Sequence, residues 1–227
     1  MNADTLKSNI DKLLERVRLS AQKSQRENSI RVLAVSKTRS ADEIRRAAGL
    51  GLHEFGENYL QEALAKIAEL SDLDLCWHFI GPIQSNKTRP IAEHFHWVHS
   101  VDRLKVARRL SEQRPRSLPD LQICLQVNIS GEASKSGVDL AELPALARAV
   151  MALPRIRLRG LMAIPAAGLE PEAQHAAFAT LRRALENLQQ EAPELDTLSM
   201  GMSGDLEAAI AEGATIIRVG TDIFGPR

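Results

Sequence analysis

Val32-Leu33-Ala34-Val35-Ser36-Lys37-Thr38 is an aliphatic run that ends in a lysine. Four consecutive apolar residues bounded by polar ones read as a buried β-strand of the kind found in parallel sheets. Lys37 then falls just past the strand's C-terminal end. An ammonium is seldom buried without a partner, so the stretch taken alone reads as a solvated lysine beyond a strand. A lysine held at the mouth of a dry scaffold has a second use. It can lose its proton and condense with an aldehyde or ketone to a Schiff base.

Outward from this stretch, strands and helices alternate. Before it, Leu6, Ile10, Leu13, Leu14 and Val17 fall on one face of a helix over Asp4 to Ala21, capped by Asp4 or Thr5. After it, Ser40 or Asp42 opens a helix to Gly49. Further strands are expected over Leu52–Phe55, Leu75–Ile80, Phe95–His99, Leu121–Val127, Leu158–Ile164, Leu195–Met200 and Ala214–Val219. Helical segments separate them, ending at Leu70 after the second strand and at Leu110 after the fourth. Later helices cover Leu140–Met151, Glu172–Gln190 and Asp205–Glu212. The loop from Ser130 to Gly137 is polar. No Pro- or Gly-rich linker marks a second domain, so residues 1–227 are expected to form one domain. Repeated βα units imply a parallel sheet. Eight strands, with a helix after each of the first seven, imply an α/β fold closed as a (β/α)₈ TIM barrel with an extra N-terminal helix. An open doubly wound sheet would call for a glycine-rich fingerprint after the first strand, and Ser36-Lys37-Thr38-Arg39 is not one.

Composition narrows the function. Lys plus Arg and Asp plus Glu are both 29, so the net charge is zero and no basic stripe argues for nucleic acid. Arg155, Arg157 and Arg159 alternate with Ile156 and Leu158 and read as the outer face of one strand. No apolar segment reaches membrane-spanning length, and the start of the chain lacks a signal-peptide pattern. The two cysteines, Cys76 and Cys124, lie in apolar runs and read as buried reduced thiols of a cytoplasmic protein. His94, His96 and His99 do not share one strand face, so they read as strand and core residues and no metal site is expected. Lys87 and Arg89 read as solvated charges.

A barrel carries its chemistry at the C-terminal ends of its strands. The polar residues falling there are Lys37, Asn58, His78, Asn128, Ser203 and Arg218. Two loops stand out. Ser199-Met200-Gly201-Met202-Ser203-Gly204-Asp205 combines glycines and hydroxyls at a strand-to-helix turn, and Arg218-Val219-Gly220-Thr221 repeats the combination. Loops after the seventh and eighth strands of barrels frequently hold phosphate. A Schiff-base lysine and a phosphate cradle on one rim suggest pyridoxal 5′-phosphate (PLP).

At this point the chain resembles a known family, the pyridoxal phosphate homeostasis proteins, also called the proline-synthase co-transcribed family. The resemblance rests on Ala34-Val35-Ser36-Lys37-Thr38, Phe55-Gly56-Glu57-Asn58-Tyr59, Trp77-His78-Phe79-Ile80-Gly81 and Gln84-Ser85-Asn86-Lys87. It continues through Lys135-Ser136-Gly137, Leu161-Met162, Ser199-Met200-Gly201-Met202-Ser203 with Asp205, and Ile217-Arg218-Val219-Gly220-Thr221 with Ile223-Phe224-Gly225. The resemblance implies a monomeric barrel of the alanine-racemase type with PLP held covalently on Lys37. It implies Arg218 toward the pyridine nitrogen, Ser203, Gly204, Gly220 and Thr221 on the phosphate, and Asn58 near the ring. Relatives are expected to carry a few polar residues beyond the position of Arg227.

The implied function is to buffer and deliver PLP, with transient contacts to PLP-dependent apo-enzymes and no catalytic residue. An arginine opposite the ring nitrogen can only donate, so it disfavours the protonated ring that makes PLP an electron sink. Racemases of the fold supply a tyrosine base from a second domain, whereas Tyr59 is the only tyrosine here. An amino-acid racemase or a Schiff-base lyase is the enzymatic alternative, and a partner-binding barrel without a ligand is the third reading. Lys135, in its polar loop, reads either as a solvated lysine or as a secondary aldehyde-reactive site.

Overall fold

The structure, a computed structural model, describes residues 2–26, 30–130, 136–166 and 168–226. Eight parallel strands close into a barrel in chain order: β1 (Arg31–Val35), β2 (Glu54–Glu57), β3 (Cys76–Phe79), β4 (Trp97–Val101), β5 (Leu121–Gln126), β6 (Ile156–Met162), β7 (Thr197–Ser199) and β8 (Ile216–Val219). β8 pairs back on β1, with Leu33 opposite Arg218. Around the strands run α1 (Ala3–Lys23), α2 (Ala41–Gly49), α3 (Leu60–Glu69), α4 (Thr88–His94), α5 (Leu104–Gln113), α6 (Leu143–Met151), α7 (Pro171–Gln189), α8 (Leu206–Ala211) and α9 (Thr221–Phe224). The expected barrel with its leading helix is present. Among the described residues, no helix is long and apolar enough to cross a membrane.

Local chemistry sets the helix starts. Asn2 accepts from Thr5 N at 2.8 Å and caps α1. Ser40 forms a capping box with Glu43, so it is Ser40 rather than Asp42 that opens α2. The buried stripe of α1 is Leu6, Ile10, Leu13 and Val17, packed toward α8 and α9, while Leu14 is exposed. Leu14 follows Leu13 by one residue and so points about 100° away from the stripe.

Five strands begin two residues off the expected positions. Leu52 and Phe95 are buried but lie outside the ladder; Phe95 packs edge-on against Phe79, 5.3 Å between ring centroids. Leu195 and Ala214 are likewise buried ahead of their strands. The apolar character of these four residues reports the layer between strands and helices, so β2, β4, β7 and β8 start two residues later than expected. β6 starts two residues earlier, after Arg155 turns the chain at φ 59°. The short helix α9 follows the eighth strand, where none was expected, because four residues carry no helical period.

Leu33, Trp97, Cys124, Met162 and Ile216 fill the barrel interior. Only Arg157 of the three arginines around β6 is an exposed strand residue. Arg159 instead pairs with Asp196 and Gln122, and its guanidinium lies 5.2 Å from the Trp97 ring centroid. Arg31 lies over the same ring at 4.7 Å, so the two arginines close the N-terminal end of the barrel around Trp97.

Gly160 pairs with Thr197 across β6 and β7, and a Cβ built there would lie 1.9 Å from the Thr197 carbonyl oxygen. Backbone sits on the other side of that clash, so no side chain can yield. Gly160→Ala should destabilise the protein by about 3 kcal/mol. Calorimetry should show Tm lowered by roughly 6–12 °C, at about 2–4 °C per kcal/mol for this size; an unchanged Tm would refute the tight β6–β7 contact.

Candidate functional site

The C-terminal mouth of the barrel opens into a cavity of about 290 Å³. This lies at the small end of ligand pockets, roughly 300–1,000 Å³. β1 delivers Val35 and, just beyond it, Lys37 and Arg39. Asn58 follows β2, Ile80 follows β3 and Ile164 follows β6. The β7–α8 loop brings Met202, Ser203 and Gly204; β8 and the start of α9 bring Arg218, Gly220 and Thr221, and Gly225 completes the wall. All seven residues singled out as ligand-holding thus border one cavity. His78 and Asn128, expected on the rim, do not line it. His78 points into the barrel, where it stacks on Trp97 with ring centroids 5.6 Å apart, and Asn128 is buried.

The lining is cationic. Lys37, Arg39 and Arg218 border the cavity, and no carboxylate does among the described residues. Arg218 is buried, and its hydrogen-bond acceptors are neutral. Nη1 donates to Ser199 O at 2.5 Å and to Ser199 Oγ at 2.9 Å, and Nη2 donates to Ala163 O at 2.9 Å. Burial pulls the Arg218 guanidinium down to about 10, with Asp205 pulling the other way. The group remains a cation at neutral pH. Asn58 Oδ1 is buried with no hydrogen-bond partner among the described residues. A buried cation held by neutral groups and open space over Gly204 suit a small anionic ligand, and the unpaired Asn58 Oδ1 offers that ligand an acceptor for a hydroxyl or N–H group.

Arg218 also orders the barrel interior. Ser199 Oγ lies 2.7 Å from His99 Nδ1, and His99 Nε2 lies 2.9 Å from His78 Nδ1. Arginine is a donor only. Ser199 Oγ therefore accepts from Arg218, and its own proton is satisfied by donation to His99 Nδ1. His99 must then donate from Nε2 to His78 Nδ1, which leaves His78 with its proton on Nε2. That nitrogen faces Cys76 Sγ at 3.3 Å and Glu54 Oε2 at 3.6 Å. One chain of donors thus runs from Arg218 toward Glu54. His99 lies in the core as expected. His94 instead ends α4, and His96 Nδ1 accepts from Trp77 N at 3.0 Å.

The β7–α8 loop and α9 are braced from outside. Arg16 of α1 donates from Nη2 to Ser203 O at 3.2 Å, from Nη1 to Asp222 Oδ2 at 2.5 Å and from Nε to Glu207 Oε1 at 2.9 Å. Asp205 Oδ1 accepts from Met202 N at 2.5 Å inside the loop.

A profile of the family described as alanine racemase, N-terminal domain, matches residues 2–227. A pyridoxal phosphate homeostasis protein of Pseudomonas aeruginosa is 64% identical over 224 residues, covering 98% of this chain and 96% of the relative. The chain belongs to the pyridoxal phosphate homeostasis protein family. PipY of Synechococcus elongatus, solved with PLP bound, superposes with a TM-score of 0.82 at 45% identity, covering 92% of this chain and 98% of that one. Alanine racemase from Corynebacterium glutamicum shares the fold at a TM-score of 0.70 and 18% identity, and this chain covers 62% of it.

Sequence reasoning missed Arg39, Ser199 and His99 as parts or supports of the site. Arg39 could have been found by its position two residues past Lys37. Ser199 was read as loop chemistry, whereas it ends β7 and faces inward to Arg218. Lys135 lies outside the described residues.

Burial holds His78 and His99 well below the usual histidine value, with neighbouring positive groups adding to the effect. Both rings should stay neutral, protonated on Nε2, between pH 8 and 6; nitrogen-15 NMR of the imidazoles reads this directly. Unfolding frees both to titrate near pH 6.5. The unfolded state then binds more protons, so stability is full above pH 6.5 and is lost as pH falls below it. The loss should approach about 1.4 kcal/mol per histidine per pH unit. A ring carrying its proton on Nδ1 would break the donor order.

Proposed function

We propose that the protein binds PLP in this cavity and serves as a carrier that buffers and delivers it, without turning over a substrate. The observation carrying the reading is the cavity lining. It combines a strand-end lysine, two arginines with no carboxylate beside them, and the two hydroxyl-and-glycine loops.

The residues present fit the cofactor. Ser203 and Thr221 would donate to the phosphate, with Gly204 and Gly220 allowing the backbone to approach it. Arg39 and Lys37 add positive charge from the β1 side of the cavity. Asn58 Oδ1 offers an acceptor to ring substituents, and Arg218 would stand toward the ring nitrogen. When bound, the cofactor supplies an aldehyde carbon that an amine can join through a C=N bond with loss of water. Lys37 is the amine in the cavity wall. Arg218 donates to Ser199 and Ala163 and has no proton to give up at neutral pH, so it cannot protonate a ring nitrogen as an acid would. Ile80, Ile164 and Met202 supply the wall's apolar part.

The same lining supports holding over turnover. Beyond Lys37, no His, Cys, Tyr, Asp or Glu borders the cavity among the described residues, so a second acid–base group is missing from its wall. Tyr59 caps α3 and is 53% exposed. We further propose a cytoplasmic monomer that meets PLP-dependent apo-enzymes transiently.

Borohydride reduction of PLP-loaded protein, digestion and mass mapping should place the pyridoxyl group on Lys37. A label found mainly on Lys135 or Lys87 would overturn that assignment. A hydrogen bond to a charged group contributes about 1.5–3 kcal/mol. The Ser203→Ala, Thr221→Ala double variant should therefore bind PLP at least roughly tenfold more weakly by equilibrium dialysis. Unchanged affinity would place the phosphate elsewhere. Deuterium exchange at Cα across a panel of amino acids should be negligible, and rapid exchange with any one would favour the racemase reading.

A further inference from the structure

Lys37 sits between two backbone groups that are held from behind. Lys66 of α3 is only 6% exposed, and its ammonium donates three hydrogen bonds. They run to Ser36 O at 2.8 Å, Glu57 Oε1 at 2.8 Å and Glu62 Oε1 at 2.5 Å. That uses every proton the ammonium has. Glu62 Oε1 also accepts from Thr38 N at 2.6 Å, and Ser36 Oγ donates to Glu57 Oε1 at 2.6 Å. The carbonyl before Lys37 and the N–H after it therefore end on the same ion cluster.

The turn they hold is strained. Thr38 has φ 66°, in the left-handed region that a β-branched residue disfavours. Such conformations persist only where the surroundings over-determine them. Thr38 is exposed, so burial of its own side chain does not fix the turn. The Glu62 carboxylate does. The cluster is also costly for its size. Glu57 is fully buried, its Oε2 has no hydrogen-bond partner among the described residues, and burial pushes its carboxyl up against the pull of Lys66. Buried ion clusters are poor stabilisers compared with apolar packing, so stability alone does not account for this one.

We propose that Lys66, with Glu62 and Glu57, is a positioning group for Lys37: it locks the strained turn so that the amine is presented to an aldehyde in the cavity. The inference rests on the PLP-binding reading. It separates the two halves of that site. The phosphate loops are braced from α1 through Arg16, and the lysine turn from α3 through Lys66. Damage to the α3 brace should therefore weaken capture of the aldehyde and leave recognition of the phosphate intact.

The test compares two ligands, PLP and pyridoxine 5′-phosphate, which carries an alcohol in place of the aldehyde. Glu62 is half-buried, so Glu62→Ala removes the acceptor for Thr38 N at little risk to folding. Lys66→Met combined with Glu57→Gln is the second variant, leaving Glu57 without an unpaired charge. Calorimetric titration well below each variant's Tm should show PLP affinity lowered at least tenfold and pyridoxine 5′-phosphate affinity within twofold of wild type. Thr38→Gly in the Glu62→Ala background should recover part of the loss, because glycine takes positive φ without strain. Affinities for the two ligands that move together, or that do not move, would overturn the inference while leaving PLP binding intact. A wild-type protein that binds neither ligand would overturn both readings.

Discussion

A guanidinium buried at the mouth of a barrel has few permissible arrangements. It cannot give up its charge, it can only donate, and each unmet donor is costly in a dry interior. Arg218 meets these terms through Ser199 and Ala163, and its demands travel onward. The Ser199 hydroxyl is turned toward His99, His99 toward His78, and His78 toward Glu54. The inward positions of four strands are thereby committed to one polar column. Apolar residues fill the remaining interior around Trp97.

The mouth above that column is built from two neighbouring halves that meet where β1 pairs with β8. On one side the β1 turn presents Lys37 with α3 behind it. On the other, the β7–α8 loop and α9 present hydroxyls and glycines with α1 behind them. Each half takes its shape from charged groups that do not line the cavity. The wall itself is left with cations, hydroxyls and an amide. A binding surface of this kind recognises an anion strongly and offers little machinery for moving protons.

The fold was legible in the chain because eight apolar runs alternate with amphipathic segments, and each run is long enough to register. The errors came where apolar residues serve the outer layer, as Leu52 and Phe95 do, or where an element is too short to show a period, as α9 is. The cavity residues were legible for a different reason. A barrel collects strand ends, so position relative to a strand was enough to gather Lys37, Asn58, Ser203 and Arg218. Their supports were not legible. Lys66 sits at an ordinary helical spacing from Glu62 and reads as a surface pair, yet it is buried because Ser36 and Glu57 approach from other strands. Arg159 read as an outward strand residue, and only the closure of the barrel brings it over Trp97. Such contacts depend on pairs far apart in the chain, which local pattern does not carry.

Arg16 ties the leading helix to the loop that would cradle a phosphate, joining Ser203, Glu207 and Asp222 through one side chain. Two events share that tie: docking of α1 on the barrel and occupation of the cavity. Thermodynamic linkage makes their coupling reciprocal. An anion that tightened the loop would by the same linkage tighten the helix, and loosening the helix would lower the hold on that anion. The outer surface of α1, with Leu14 and Leu19 exposed on it, is thus mechanically connected to the interior of the pocket.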